Sequence, residues 1–179
     1  PYLPKDWRDT FGDHSLPIGL LLPPASDLDV YASHNREVRE LHRRTSQKNE
    51  GIGLIMPGMR NIPFSGQPAD EKLIAERCEK WVLGSVYGVE EASSTGPLFD
   101  RVEAKLSKAT IYFKEGTAKG LSSDIDGLEV FETAGPDRKF VHSQARIEGL
   151  TIKLKSNGPI EFVRYNWKNQ PNQGLINDS

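Results

Sequence analysis

The chain has 179 residues, and its 23 Lys and Arg against 25 Asp and Glu leave a formal charge of −2. That length suits one ordinary domain or two small ones, and the charge balance gives no support to a basic nucleic-acid or membrane surface. A single Cys excludes an internal disulfide framework and a thiolate zinc cluster. No apolar run approaches the ~20 residues of a membrane span.

In chain order, the first signal is Ile18-Gly19-Leu20-Leu21-Leu22, a short continuous apolar run closed by Pro23-Pro24. Such a run predicts a strand buried on both faces. Residues 33–47 follow, rich in Arg and Glu, with Val38 and Leu41 three apart, and predict a surface helix. Its charges read as a solvated outer face laced by side-chain ion pairs. Ile52-Gly53-Leu54-Ile55-Met56 repeats the strand signal and ends at Pro57-Gly58. From Asp70 the period turns helical: Leu73, Ile74, Cys78, Trp81, Val82 and Val86 share one face, and Gly88 is placed to end the helix. Cys78 and Trp81 on that stripe read as core groups. Strand, helix, strand, helix with apolar strands argues for a parallel sheet covered by helices. Two strands are too few for a doubly wound domain, so the segment reads as its closing edge.

From about Ser93 the pattern changes. Ile147, then Leu150, Ile152 and Leu154, then Ile160 and Phe162 show two-residue spacing between turn signals at Gly149, Asn157-Gly158-Pro159, Gly116, Gly127 and Gly135-Pro136. Short alternating runs of this kind predict an antiparallel β-sandwich. In it Phe162 and Tyr165 are expected to pack the core, and Arg164 to tie the two domains together. The polar, unpatterned junction around residues 90–97 reads as a linker. The organisation is therefore α/β plus β, with domains over 1–92 and 93–179. The first residue is Pro1 rather than Met, which reads as a processed chain or a part of something longer.

The ordered set of short motifs resembles one family. Asp6-Trp7-Arg8 followed by Leu16-Pro17 is similar to the "DWR…PF" entry of sialate O-acetylesterase-like SGNH hydrolases. Val38-Arg39-Glu40-Leu41-His42 is similar to that family's "LREAQ" helix. Pro63-Phe64, Pro68, Asp70, Arg77, Trp81 and Tyr87-Gly88 fall where its last loop and helix lie. Further on, Lys119-Gly120-Leu121 resembles "GKGL", and residues 128–132 resemble the "LxGFE" strand. Residues 163–167 with Asn169, Pro171, Leu175 and Asn177 resemble the closing "VRYAWxxNPxxNLYN". The resemblance covers the C-terminal portion of such a protein only. It implies the closing β-α-β-α part of a flavodoxin-like (SGNH) parallel sheet followed by a small antiparallel β-sandwich. The implied chemistry is hydrolysis of acetyl esters on sugars by a Ser nucleophile near the start of the hydrolase domain. The resemblance places a His, with an Asp shortly before it, in the loop that here runs from Met56 to Pro68. It suggests export or a lysosome, although the residues themselves set no compartment.

That loop is where chemistry belongs, beyond the carboxyl end of a strand in an open α/β sheet. A Ser hydroxyl needs a base to take its proton. Yet residues 57–69 contain no His, Asp, Glu or Cys. Gln67 stands at the family's His position, and an amide accepts no proton near neutral pH. Met56, Met59 and Asn61 occupy the region of the family's acidic residues. The nucleophile motif "GQSN" is absent from the 179 residues. No catalytic residue is therefore assigned, and the chain is expected to be inactive alone. Arg60, Gln67 and His42 are the candidate ligand contacts. The plainer readings are a solvated loop Arg60, an orienting Gln67 and a structural His42. Ser65 lacks the preceding glycine of a nucleophile elbow. His14, His34, His42 and His142 lie in four separate segments without metal-ligand spacing, so no metal and no cofactor are expected. The expected partners are an O-acetylated carbohydrate and an upstream segment or second chain that completes the sheet. No nucleic acid and no membrane span are expected. Two alternatives stand beside this reading: a non-catalytic carbohydrate-binding or structural module derived from the family, and a different α/β enzyme with His42 or His34 as base.

Overall fold

The computed structural model describes residues 3–22, 34–55, 68–89, 96–123, 128–168 and 174–175. The described residues form two compact units, the first ending at Val89 and the second beginning at Gly96.

The first unit is α/β. Its elements are α1 (Leu3–Phe11), β1 (Ile18–Leu21), α2 (Asn35–Lys48), β2 (Ile52–Ile55) and α3 (Pro68–Ser85). Strands β1 and β2 pair in parallel with Ile18 opposite Ile52 and Gly19 opposite Gly53. Parallel neighbours need a crossover connection, and α2 lies within it. The two opposed glycines form a bare platform for the indole of Trp81 from α3. A Cβ on Gly53 would stand 2.0 Å from Trp81 Nε1, and one on Gly19 would stand 3.1 Å from its Cζ3. Only residues without side chains let the ring, 6% exposed, lie so close to the sheet. Helix α3 ends as expected at Gly88, whose φ of 68° turns the chain so that the Val89 amide donates to the Leu83 carbonyl.

Sequence reading placed no element at α1, which instead is a helix tied down by Arg8. The Arg8 guanidinium donates to the carbonyls of Leu16 (3.1 Å) and Glu50 (2.8 Å), joining the approaches to both strands. Leu3, Trp7 and Phe11, spaced one turn apart on α1, are all exposed. The apolar strands also differ from expectation. Ile52, Leu54 and Ile55 of β2 are buried, whereas Leu21 of β1 is 40% exposed and Leu20 is half-buried. Among the described residues β1 has β2 along one edge and no strand along the other, so that edge is unpaired there.

The second unit contains a four-stranded antiparallel sheet in the order β3-β4-β8-β7 and a three-stranded one in the order β6-β5-β9. The strands are β3 (Phe99–Lys105), β4 (Lys108–Phe113), β5 (Phe131–Ala134), β6 (Val141–His142), β7 (Gln144–Glu148), β8 (Thr151–Lys155) and β9 (Phe162–Tyr165). Both sheets feed one core. Ala109, Ile111, Ile152 and Leu154 come from the larger sheet and Phe131 from the smaller, joined by Ala118, Leu121 and Ile160 from connecting segments.

Two-residue hairpins set the register of the larger sheet. Gly149 (φ 60°) and Leu150 turn β7 into β8, so Leu150 is exposed at the tip rather than in line with Ile152 and Leu154. Leu106 and Ser107 turn β3 into β4, and Leu106 holds a left-handed φ of 53° without being glycine. Its carbonyl accepts the Ile160 amide at 2.8 Å, which fixes the tip against the approach to β9.

On β9 the expected packing is corrected. Val163 and Tyr165 pack on the core, while Phe162 lies beneath the Arg138 guanidinium at 5.1 Å. Phe162 and Tyr165 are three residues apart and so take opposite faces of a strand. Arg164 pairs bidentately with Glu132 of β5 at 2.8 and 3.0 Å and stacks over Phe140 at 4.1 Å. These partners all lie in its own unit, because Glu132 is its cross-strand neighbour. Tyr165 stacks on Phe131 with centroids 4.6 Å apart, and its phenol oxygen accepts the Leu175 amide at 2.8 Å.

Candidate functional site

The candidate site expected from the sequence belongs at the carboxyl ends of β1 and β2. The segments leaving both strands, 23–33 and 56–67, lie at that edge in sequence and outside the described residues. Met56, Met59, Arg60, Asn61, Ser65 and Gln67 all fall in the second segment, so these expectations lie outside the described residues as well.

His42 is the candidate that the structure does describe. It lies in the middle of α2, half-buried, with Nδ1 enclosed and without a hydrogen-bond partner among the described residues. Burial holds its imidazole below the ordinary value of 6.5, which favours the neutral ring. Among the described residues no carboxylate pairs with it, and such a partner is the third group that orients a general base in a triad. His34 is exposed at the N-cap of α2 and makes no side-chain capping bond. His14 is exposed with Nδ1 3.7 Å from Asp9, and His142 is exposed on β6 opposite Glu132. The structure thus brings none of the four histidines together. Among the described residues no group of three or more His, Cys, Asp or Glu is arranged to hold a metal ion.

The electrostatics of α2 are those of a self-paired surface. Glu40 accepts from Arg43 at 2.7 and 2.8 Å and from Arg44 at 2.6 Å. Burial alone would raise its carboxyl, but these bonds outweigh burial and hold it below the usual range. Burial lowers the guanidinium pKa of Arg39 on α2 and of Arg77 on α3. Cys78 and Trp81 occupy the inward stripe of α3 as expected, with Trp81 the better buried. No helix among the described residues is long and apolar enough to cross a membrane.

Sequence reasoning missed the function of Arg8 within the Asp6-Trp7-Arg8 motif. Its targets are backbone carbonyls 8 and 42 residues away, which carry no side-chain signature. It placed Trp81 in the core but not its seat on Gly19 and Gly53, since nothing in the sequence shows that the two strand glycines stand opposite each other.

No family model matches the sequence, and no curated protein does. Among solved structures, the fold is similar to the crystal structure of a carbohydrate acetylesterase from Xanthomonas citri, with a TM-score of 0.80 and 23% identity. The match covers 98% of this chain and 41% of the esterase, so the chain spans well under half of that protein's length. At this identity the likeness is one of fold, and it runs through both units.

Proposed function

We propose that the chain forms the C-terminal portion of a carbohydrate O-acetylesterase of the sialate O-acetylesterase-like SGNH kind, and that it is inactive by itself. In this reading residues 1–92 close a flavodoxin-like parallel sheet and residues 93–179 form the β-sandwich that follows it. The observation that carries the proposal is the likeness over 98% of this chain to 41% of an acetylesterase. The edge of β1 that has no strand beside it among the described residues supports it. An upstream segment or a second chain would add strands there, covering Leu21 and supplying the Ser nucleophile.

Inactivity follows from the chemistry of residues 57–69. Gln67 can donate or accept a hydrogen bond to an O-acetylated sugar but cannot take the proton of an attacking hydroxyl. The same loop composition favours a second reading, a non-catalytic carbohydrate-binding or structural module that keeps the shape of the family. The test is hydrolysis of p-nitrophenyl acetate and of an O-acetylated sialic acid by the purified chain. Turnover should equal that of a heat-denatured control. Clear turnover abolished by His42→Ala and spared by Gln67→Ala would refute the inactive site and point to His42 as base.

A further inference from the structure

We infer that the outer face of the four-stranded sheet is a binding strip for an anionic polysaccharide. Register places Lys105 of β3 opposite Lys108 of β4, Lys108 opposite Lys155 of β8, and Lys155 opposite Gln144 of β7. Directly opposed residues of an antiparallel sheet project to the same side. The adjacent row, with Ala109 opposite Leu154, is buried in the core, so the lysine row faces away from it. All four residues are exposed, and none of the three lysines has a carboxylate partner among the described residues.

Like charges placed directly opposite each other oppose strand pairing, and here three succeed one another. The acids on this face are engaged elsewhere. Glu103 is held by Arg101 at 3.1 Å and by the Tyr112 hydroxyl at 3.1 Å, and Glu148 by Arg146 at 2.9 Å. The strip is therefore a local positive excess on a chain whose formal charge is −2.

Geometry selects the occupant. Neighbouring strands lie ~4.8 Å apart, so the three lysines spring from points spanning about 10 Å. One small anion cannot neutralise them without drawing like charges together, whereas a linear polymer with a carboxylate on successive units meets them in order. A single-stranded nucleic acid would use stacking platforms. Tyr112 of this face is instead covered by the Arg101 guanidinium at 4.0 Å. The choice of a sugar polymer over an acidic polypeptide rests on the acetylesterase reading above. Gln144 at the end of the row offers both a donor and an acceptor to sugar hydroxyls.

The test is titration of the purified chain with polygalacturonate, with dextran as neutral polymer and oligothymidylate and polyglutamate as competing polyanions. Three contacts predict affinity for polygalacturonate that falls roughly 20-fold between about 50 and 200 mM salt. The triple variant Lys105→Gln, Lys108→Gln, Lys155→Gln should lose binding and its salt dependence while melting no lower than the parent, because repulsion has been removed. Lys114→Gln with Lys119→Gln should change nothing. Absence of polygalacturonate binding at low salt, or unchanged binding by the triple variant, overturns the proposal. Equal or tighter binding of oligothymidylate or polyglutamate overturns the sugar assignment. Polygalacturonate bears no acetyl ester, so a failure here is separate from any outcome of the hydrolysis assay.

Discussion

The seat of Trp81 on Gly19 and Gly53 lends itself to a quantitative test. Replacing Gly53 by Ala would place a methyl group 2.0 Å from Nε1, 2.6 Å from Cε2 and 2.9 Å from Cζ2 of the indole. Unstrained contacts between such atoms need about 3.5 Å, so the rigid ring must withdraw by roughly 1.5 Å and give up its contact with the sheet. Overpacking of this kind costs about 1–3 kcal/mol. The upper end is expected, because three ring atoms obstruct the methyl and none is the end of a flexible chain. Gly19→Ala should cost less, about 1 kcal/mol, since its closest obstacle is Ile55 Cδ1 at 2.7 Å, a side-chain tip that can rotate away. In a Trp81→Leu background no ring atom remains at the positions of Nε1, Cε2 and Cζ2. Gly53 is not in the left-handed region, so Ala there should be neutral or stabilising by about 0.5 kcal/mol. The coupling between positions 53 and 81 is then about 2–3 kcal/mol. Denaturant unfolding followed by far-ultraviolet circular dichroism measures the four stabilities, and amide exchange at Ile52 and Leu54 assigns the change to the first unit. An equal penalty for Gly53→Ala with Trp and with Leu at position 81 would refute the placement of the indole on the glycine pair.

Three other outcomes are expected. Leu106→Gly should stabilise the second unit by about 0.5–1 kcal/mol, because a left-handed Leu costs about 1–2 kcal/mol and glycine returns part of that gain as backbone entropy. A melting temperature that falls would refute the strain. Thr133→Val should also stabilise, by about 1 kcal/mol, since Thr133 is 1% exposed and its Oγ1 has no partner among the described residues; a loss of stability would reveal a hidden hydrogen bond. His42 has its folded-state pKa lowered by burial, so its contribution is fully present above the unfolded value of about 6.5 and is lost as pH falls through the folded value. His42→Gln should flatten the dependence of the urea midpoint on pH below about 6.5. An unchanged acid slope would show that other groups set it.

The elements legible in the sequence were those whose signal is local. The apolar runs of β1 and β2, the stripe of α3 with Gly88 at its end, and the Gly149 turn each announce themselves within a dozen residues. The β3–β4 hairpin was hidden because its turn is Leu106-Ser107, a pair that no turn rule favours; the strain is borne by a Leu. Register was equally hidden. Arg164 reads from the sequence as a tie between domains because nothing in its neighbourhood shows that Glu132, 32 residues earlier, lies directly across the sheet. At the candidate site the composition of residues 57–69 could be read in full, since the lack of acid and base groups needs no coordinates. The environment of His42 could not, because burial of Nδ1 depends on what packs around α2.

The bond from the Leu175 amide to the Tyr165 phenol has a practical consequence for anyone shortening this protein. Leu175 packs against the core, and Tyr165 in turn lies on Phe131, which is 1% exposed. The tail at 174–175 is thus part of the wall of the second unit rather than a trailing end. A deletion that removes Gly174 and Leu175 strips an amide from the phenol and a packing partner from the core, so it should lower soluble yield sharply against the full chain.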